Sequence, residues 1–552
     1  MEKSLNILLE NSFKDNWDYP ALSDYKGITL NYRDVARRIE KLHIVYEILG
    51  VEKGDKISLC SRNQANWGVV FLSALTYGAV AVPILHEFKP GNIHHIVNHS
   101  ESLVLFAGDS VWEQLNEAEM PNLQAVIQIS DLSVLYARDP LIQDTRDHLN
   151  ELFGKKYPKN FRPEHIKYHE DKPEELSMIN YTSGTTGFSK GVMIPYRALR
   201  SNVDFAKTVQ PHINNTSNVV AMLPTAHMYG MMFEFLFEMT VGAHVHFLTR
   251  IPSPKIIMDA FAEIKPDIVV SVPLIIEKIY KKKLQPIINK STIRVLLRLP
   301  VIDQKIEKKI RAELVKTFGG KFFEVIIGGA AFNKEAEAFF RRIRFPFTVG
   351  YGMTECAPII TYAPWNNTRL YSCGKAAPGM EIKIDSADPE NTPGEILCRG
   401  ENVMLGYYKN QEATDDVLRD GWLHTGDMGV VDKDGYLYIR GRSKSMILGP
   451  SGQNIYPEEI ESIINNMQYV VESLVIEDGG VLKALIYPDF EQLDQEGISD
   501  SILDKKMEEM RLLINEELPN YCKIQEVKIF PEEFEKTPKR SIKRYLYQRR
   551  GL

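Results

Sequence analysis

At 552 residues the chain can bury a large core and accommodate more than one domain. Its 44% hydrophobic and 25% charged residues are those of an ordinary globular protein, and a formal net charge of −7 offers no global positive field for nucleic acid or anionic lipid. The five cysteines (Cys60, Cys356, Cys373, Cys398, Cys522) include no C-x-x-C pair, which fits a reducing compartment and gives zinc no ligand pattern.

From the N-terminus, "MEKSLNILLENSFKDN" carries charges inside its short apolar run and lacks the profile of a secretory signal. The uncharged run "WGVVFLSALTYGAVAVPIL" (67–85) approaches membrane-spanning length, but Gly78 and Pro83 interrupt it. Its Val/Ala-rich second half has strand character, so it is read as a core helix followed by a buried strand. Further on, the short apolar runs "VVAMLP" (219–224), "AHVHFLT" (243–249), "DIVVSVP" (267–273), "FEVIIGG" (323–329) and "FTVGYG" (347–352) alternate with helical patterns such as "NKEAEAFFRRI" after Asn333. This alternation predicts α/β layers with substantial parallel sheet. After about residue 375 the character shifts to short β segments, "EIKI" and "GEILCRG", and then to a hairpin, "GVVDKDGYLYIRGR", turning at Asp434-Gly435.

From about residue 445 the pattern resets. "PEEIESIINNM" opens with Pro457 and two acids, as a helix N-terminus prefers, and puts Ile460, Ile463, Ile464 and Met467 on one face. Two strand-like runs follow, "VVESLVIE" and "VLKALIYP", then a helix aligning Leu503, Met507, Met510 and Ile514, and a last strand, "KIQEVKIF", before a basic tail. The expected organisation is α/β. A large N-terminal domain (1–443) would hold layered α/β subdomains and a small β region, and a small mobile α+β domain (444–552) would follow.

Four stretches carry candidate chemistry. "YTSGTTGFSKGV" (181–192) could be a linker or a loop whose N–H groups, hydroxyls and lysine hold phosphate. It is not a Walker A loop, because Lys190 sits between Ser189 and Gly191. "GYGMTECAP" (350–358) follows a predicted strand, where α/β folds bind ligands. "GWLHTGDMG" (421–429) sets Asp427 in a Gly-rich turn, and the hairpin leads into "GRSKSMILGPSGQNIYPEEIE" (441–461).

Together and in this order, these stretches resemble the adenylate-forming superfamily of acyl-CoA synthetases, peptide-synthetase adenylation domains and insect luciferases, along essentially the full length. "ENVMLGYYKNQEATDDVLRDGWLHTGDMG" and "VSVPLIIEKIY" look more specifically like long-chain fatty acid–CoA ligases. The resemblance implies a two-step reaction: a carboxylate attacks the α-phosphorus of ATP to give acyl-AMP and pyrophosphate, and the thiol of CoA then displaces AMP. Its implied phosphate grip is Thr182, Ser183, Gly184, Thr185, Thr186, Gly187 and Lys190, with Mg²⁺ on Glu355 and Thr182 and with Thr354 at the α-phosphate. Gly329 and Ala330 would flank adenine, Tyr351 would stack on it, Asp427 would accept both ribose hydroxyls and Arg442 would add a ribose or phosphate contact. Lys444 matches the hinge about which the small domain turns between the two half-reactions, and Gly452 would line the approach of CoA.

For the acid itself, the segment "LPTAHMYG" offers His227 but no carboxylate for a substrate ammonium, so an amino acid is not expected. Gly352 stands where short-chain relatives carry Trp, which implies an acyl pocket left open for a longer chain. "MYGMMFEFLFEM" (228–239) reads equally as a fatty-acid tunnel or a core helix, and His227 as a gate or as the partner of a loop carbonyl. The C-terminal lysine of the family aligns with Ser541; if the segment is extended, Lys539 or Lys543 points the same way. Two alternatives share the motifs: an acyl-AMP ligase serving a carrier protein, and a catalytically weakened protein that binds ATP or acyl-adenylate. The expected location is the cytoplasm, with loose association at the inner membrane face, where a lipid-soluble substrate partitions.

Overall fold

The computed structural model describes residues 4–182, 189–250, 253–284, 302–448, 453–537 and 542–548. Its largest sheet has eight strands in the order Gly406–Tyr407, Lys190–Pro195, Leu176–Thr182, Val80–Ile84, Lys56–Cys60, Ser102–Ala107, Ala125–Gln128, Val134–Ala137. Neighbours in the middle run parallel, from Leu176–Thr182 to Ala125–Gln128, and the strands added at both edges run antiparallel. Val80–Ile84 is buried at every position, so its sequence shows no polar alternation. The helix before it, Ala65–Tyr77, is buried almost all round and stops at Gly78, whose φ of 88° completes a left-handed cap. The uncharged run is therefore core, and among the described residues no helix is long and apolar enough to cross a membrane.

Two further sheets carry the strands expected from 219 to 352. Asn218–Ala221 and His244–Phe247 pair in parallel and extend onto Pro20–Asp24. Val269–Ser271, Val325–Ile327 and Phe347–Val349 form an all-parallel trio in register. Beyond residue 375 the hairpin strands Trp422–Val431 and Leu437–Arg442 join Gly394–Gly400 and Met380–Asp385 in an antiparallel sheet. Gly435 takes φ 85° in the connecting turn, as the sequence predicted.

The apolar core of residues 5–437 is one continuous cluster, whereas residues 455–524 form a separate one. In the latter, helix Asp500–Glu517 packs Leu503, Met507, Met510 and Ile514 beneath strands Val470–Asp478, Val481–Pro488 and Glu526–Ile529.

Candidate active site

Strands Leu176–Thr182 and Lys190–Pro195 pair antiparallel with Thr182 opposite Lys190. Ser183, Gly184, Thr185, Thr186 and Gly187 lie outside the described residues. The Lys190 ammonium sits 4.8 Å over the ring of Tyr407, which belongs to the edge strand paired with Lys190–Pro195. The Tyr407 hydroxyl donates to Glu355 Oε1 at 2.8 Å, and the Glu355 carbonyl accepts from the N–H of Met404 at 2.9 Å. One tyrosine thus joins the lysine of the loop to the carboxylate of the second motif.

Glu355 lies in the single helical turn Thr354–Cys356, immediately after strand Tyr351–Gly352. That strand presents Tyr351, whose hydroxyl donates to Asp427 Oδ2 at 2.6 Å. Arg442 Nε is 3.1 Å from Asp427 Oδ1, because the two residues face each other across the hairpin. Burial pushes the Asp427 carboxyl up from its ordinary value while the Arg442 guanidinium opposes the rise. Burial also holds the Tyr351 hydroxyl protonated, so it remains a donor. Asp427 is 6% exposed and held from two sides, and each of its oxygens keeps a lone pair for a further donor.

A narrow, mostly apolar cavity of ≈ 60 Å³ adjoins this cluster. Gly329, Tyr351, Gly352 and Thr354 line one part of it, and Phe205, Phe233 and Phe237 wall another. Gly329 has φ 87°, a conformation glycine takes without strain, and Ala330 beside it is exposed. Gly352 does border the cavity, yet a Cβ there would meet the Pro358 carbonyl oxygen at 2.2 Å. Close backbone approach therefore accounts for this glycine without reference to pocket size. His227 lines the cavity and caps helix Met228–Met231, its Nδ1 accepting from the N–H of Tyr229 at 3.3 Å. The segment after it, Met228–Val241, is a buried helical run with a π-turn at Met232–Leu236.

Lys444 is exposed in the turn Ser443–Ser445, and the Ser445 hydroxyl donates to Glu458 at 2.5 Å. Gly452, Lys539 and Ser541 lie outside the described residues. Lys543 is tied to Glu535 at 2.5 Å, and Lys536 pairs antiparallel with Ile542. Among the described residues no group of three or more His, Cys, Asp or Glu could hold a metal by itself. Glu355 and Thr182 offer a carboxylate and a hydroxyl, an oxygen set that fits a hard cation sharing its shell with substrate phosphates and water.

Sequence reasoning missed Tyr407, although it stands in the stretch that carried the fatty-acid resemblance. It also passed over Glu234 and Glu238, two carboxyls four residues apart within an apolar run, which was a visible signal.

The model of a family described as AMP-binding enzyme matches residues 9–408. The long-chain-fatty-acid–CoA ligase FadD15 of Mycobacterium tuberculosis is 28% identical over 491 residues, which are 83% of this chain and 77% of that protein. Among solved structures, an anthranilate CoA ligase, AuaEII, in complex with anthranoyl-AMP superposes with a TM-score of 0.78 at 19% identity, over 99% of this chain and 96% of the other. The O-succinylbenzoate coenzyme A synthetase MenE of Bacillus subtilis, with ATP and magnesium ion, gives 0.73 at 20% identity over 98% of each chain.

Proposed function

Since the chain belongs to the AMP-binding enzyme family, we propose that it is an ATP-dependent long-chain fatty acid–CoA ligase, forming acyl-AMP first and acyl-CoA second. The observation that carries this reading is the meeting of the Tyr351–Asp427–Arg442 cluster with an apolar cavity at Tyr351, Gly352 and Thr354. A nucleotide's sugar needs a fixed carboxylate, an acyl chain needs an apolar channel, and the reacting atoms belong where the two join. The CoA ligase relatives support the acceptor, and the absence of any carboxylate in "LPTAHMYG" supports an acid without an ammonium.

In this reading Asp427 accepts the ribose hydroxyls, and Tyr351 and Arg442 fix its orientation. Lys190 neutralises phosphate charge and Thr354 donates at the α-phosphate, so that negative charge building up during attack is met by groups already in place. Mg²⁺ would be held by Glu355 and Thr182 and would supply further charge neutralisation. The separate apolar core beyond residue 455 supports assigning 444–552 as the part that turns about Lys444, with Gly452 beside the incoming thiol. The lysine of the α-phosphate is sought at Lys539 or Lys543, since Ser541 carries no charge.

The test is fatty-acid-dependent AMP release from ATP and Mg²⁺ with palmitate, with and without CoA. Fast AMP formation only when CoA is present is expected. Silence with palmitate, octanoate and acetate alike would overturn the ligase reading.

A further inference from the structure

The cavity wall holds polar groups that the reaction above does not use. Glu234 and Glu238 are both 0% exposed, in a run otherwise made of Met, Phe and Leu. Glu234 accepts from the N–H of Leu223 at 2.9 Å, which accounts for one of its oxygens. Neither oxygen of Glu238 has a hydrogen-bond partner among the described residues, and Glu238 lines the cavity. Gln210 lines the same cavity, 2% exposed. Its amide donates to Glu324 and Tyr362, which leaves its Oε1 unpaired.

Buried polar groups are ordinarily satisfied, and an unmet one facing a cavity marks the place of a missing partner. Burial holds the Glu238 carboxyl up at about 8, so it is neutral at ordinary pH and can both donate and accept. Gln210 Oε1 can only accept. A methylene chain answers neither group. An ammonium brings donors alone and a buried charge, and an ionised carboxylate brings only acceptors. An uncharged hydroxyl gives and takes one hydrogen bond without a charge.

We propose that Glu238, with Gln210 beside the same cavity, recognises a hydroxyl on the acyl chain, so that the favoured substrate is a hydroxylated fatty acid and not its plain parent. The assignment rests on the ligase reading for the identity of the cavity as the acyl site. Discrimination of this kind is strong where a site is built around a hydrogen bond, because the analogue lacking the group leaves the polar atoms unmet.

The experiment compares ω-hydroxy acids with their parents: 10-hydroxydecanoate, 12-hydroxydodecanoate and 16-hydroxyhexadecanoate against decanoate, dodecanoate and palmitate. Two readouts are taken on the full chain: kcat/KM for AMP release, and affinity by calorimetry with a non-hydrolysable ATP analogue. At one or more lengths the hydroxy acid is expected to lead its parent by about tenfold or more. Glu238→Leu should abolish or reverse that ratio, and the isosteric Glu238→Gln should keep part of it. Equal use of hydroxy and plain acids at every length overturns the assignment while leaving the ligase reading intact. A preference that survives Glu238→Leu overturns it too. Absence of all turnover, with a binding preference that vanishes in Glu238→Leu, removes the ligase reading and leaves the hydroxyl assignment standing.

Discussion

Asp427 and Glu238 are both buried carboxyls bordering the same region, and they have been treated in opposite ways. Asp427 stands on a hairpin strand, accepts from Tyr351 and faces Arg442, whose guanidinium works against the rise that burial causes. Glu238 lies within a helix, its carboxyl without a side-chain partner or cation among the described residues, and burial pushes it up against no more than a backbone hydrogen bond. Burial alone therefore says little about what a carboxyl does. The partners decide whether it is held as an anion that accepts or as an acid that donates. At the nucleotide end the partners are built into the protein, and in the cavity the partner is left to the ligand.

The comparison breaks most sharply at Asp427. Asp427→Ala removes the one carboxylate that Tyr351 and Arg442 orient, and kcat/KM for ATP is expected to fall about 10²–10³-fold, the usual loss for a positioned group at a reacting centre. A fall below about tenfold, with the fold intact by circular dichroism, would mean that Tyr351, Asp427 and Arg442 form only a structural brace. Gly352 sharpens the comparison from between the two ends. Gly352→Ala forces a Cβ to within 2.2 Å of the Pro358 carbonyl oxygen and is expected to cost about 1–3 kcal/mol, read as a lowered urea midpoint. An unchanged midpoint would show that the backbone yields, and would return this glycine to the role of keeping the acyl pocket open.

Much of this arrangement was legible in the chain. The spacing of Leu503, Met507, Met510 and Ile514 announced a helix with one buried face, because a period near 3.6 leaves a trace in sequence. Asp434-Gly435 announced its turn for the equally local reason that glycine accepts positive φ. Resemblance carried Tyr351, Asp427 and Arg442 to one place, where the structure indeed brings them together. Tyr407 could not be found this way. It reaches Glu355 and Lys190 because the two-residue strand Gly406–Tyr407 adds to a sheet edge more than two hundred residues away in sequence, and such pairing has no local signature. Gly352 was ambiguous for a related reason: a close approach by Pro358 and an open pocket demand the same residue, and Gly352 meets the one while lining the other. Glu234 and Glu238 were readable as an anomaly, but periodicity cannot tell a helix wrapped on all sides from one with a wet face, so their burial was hidden.

The last test isolates the unpaired carboxyl itself. Glu238 in the folded chain titrates at about 8 against an ordinary 4.5. Between those values the folded state holds a proton that the unfolded state has released, so stability falls as pH rises, by about 1.4 kcal/mol per pH unit for one proton. The contribution is lost progressively up to about pH 8 and is absent as a slope below 4.5, where both states are protonated. Glu238→Gln keeps the shape and removes the proton. Urea unfolding of both proteins between pH 6 and 8 should therefore give a wild-type slope steeper than the variant's by about this amount. Parallel slopes would mean that Glu238 is ionised in the folded chain, and the contrast with Asp427 would collapse. A wild-type slope that persists to higher pH in saturating 12-hydroxydodecanoate, but not in dodecanoate, would show the ligand's hydroxyl holding the same proton more tightly, tying the titration of the wall to what the cavity holds.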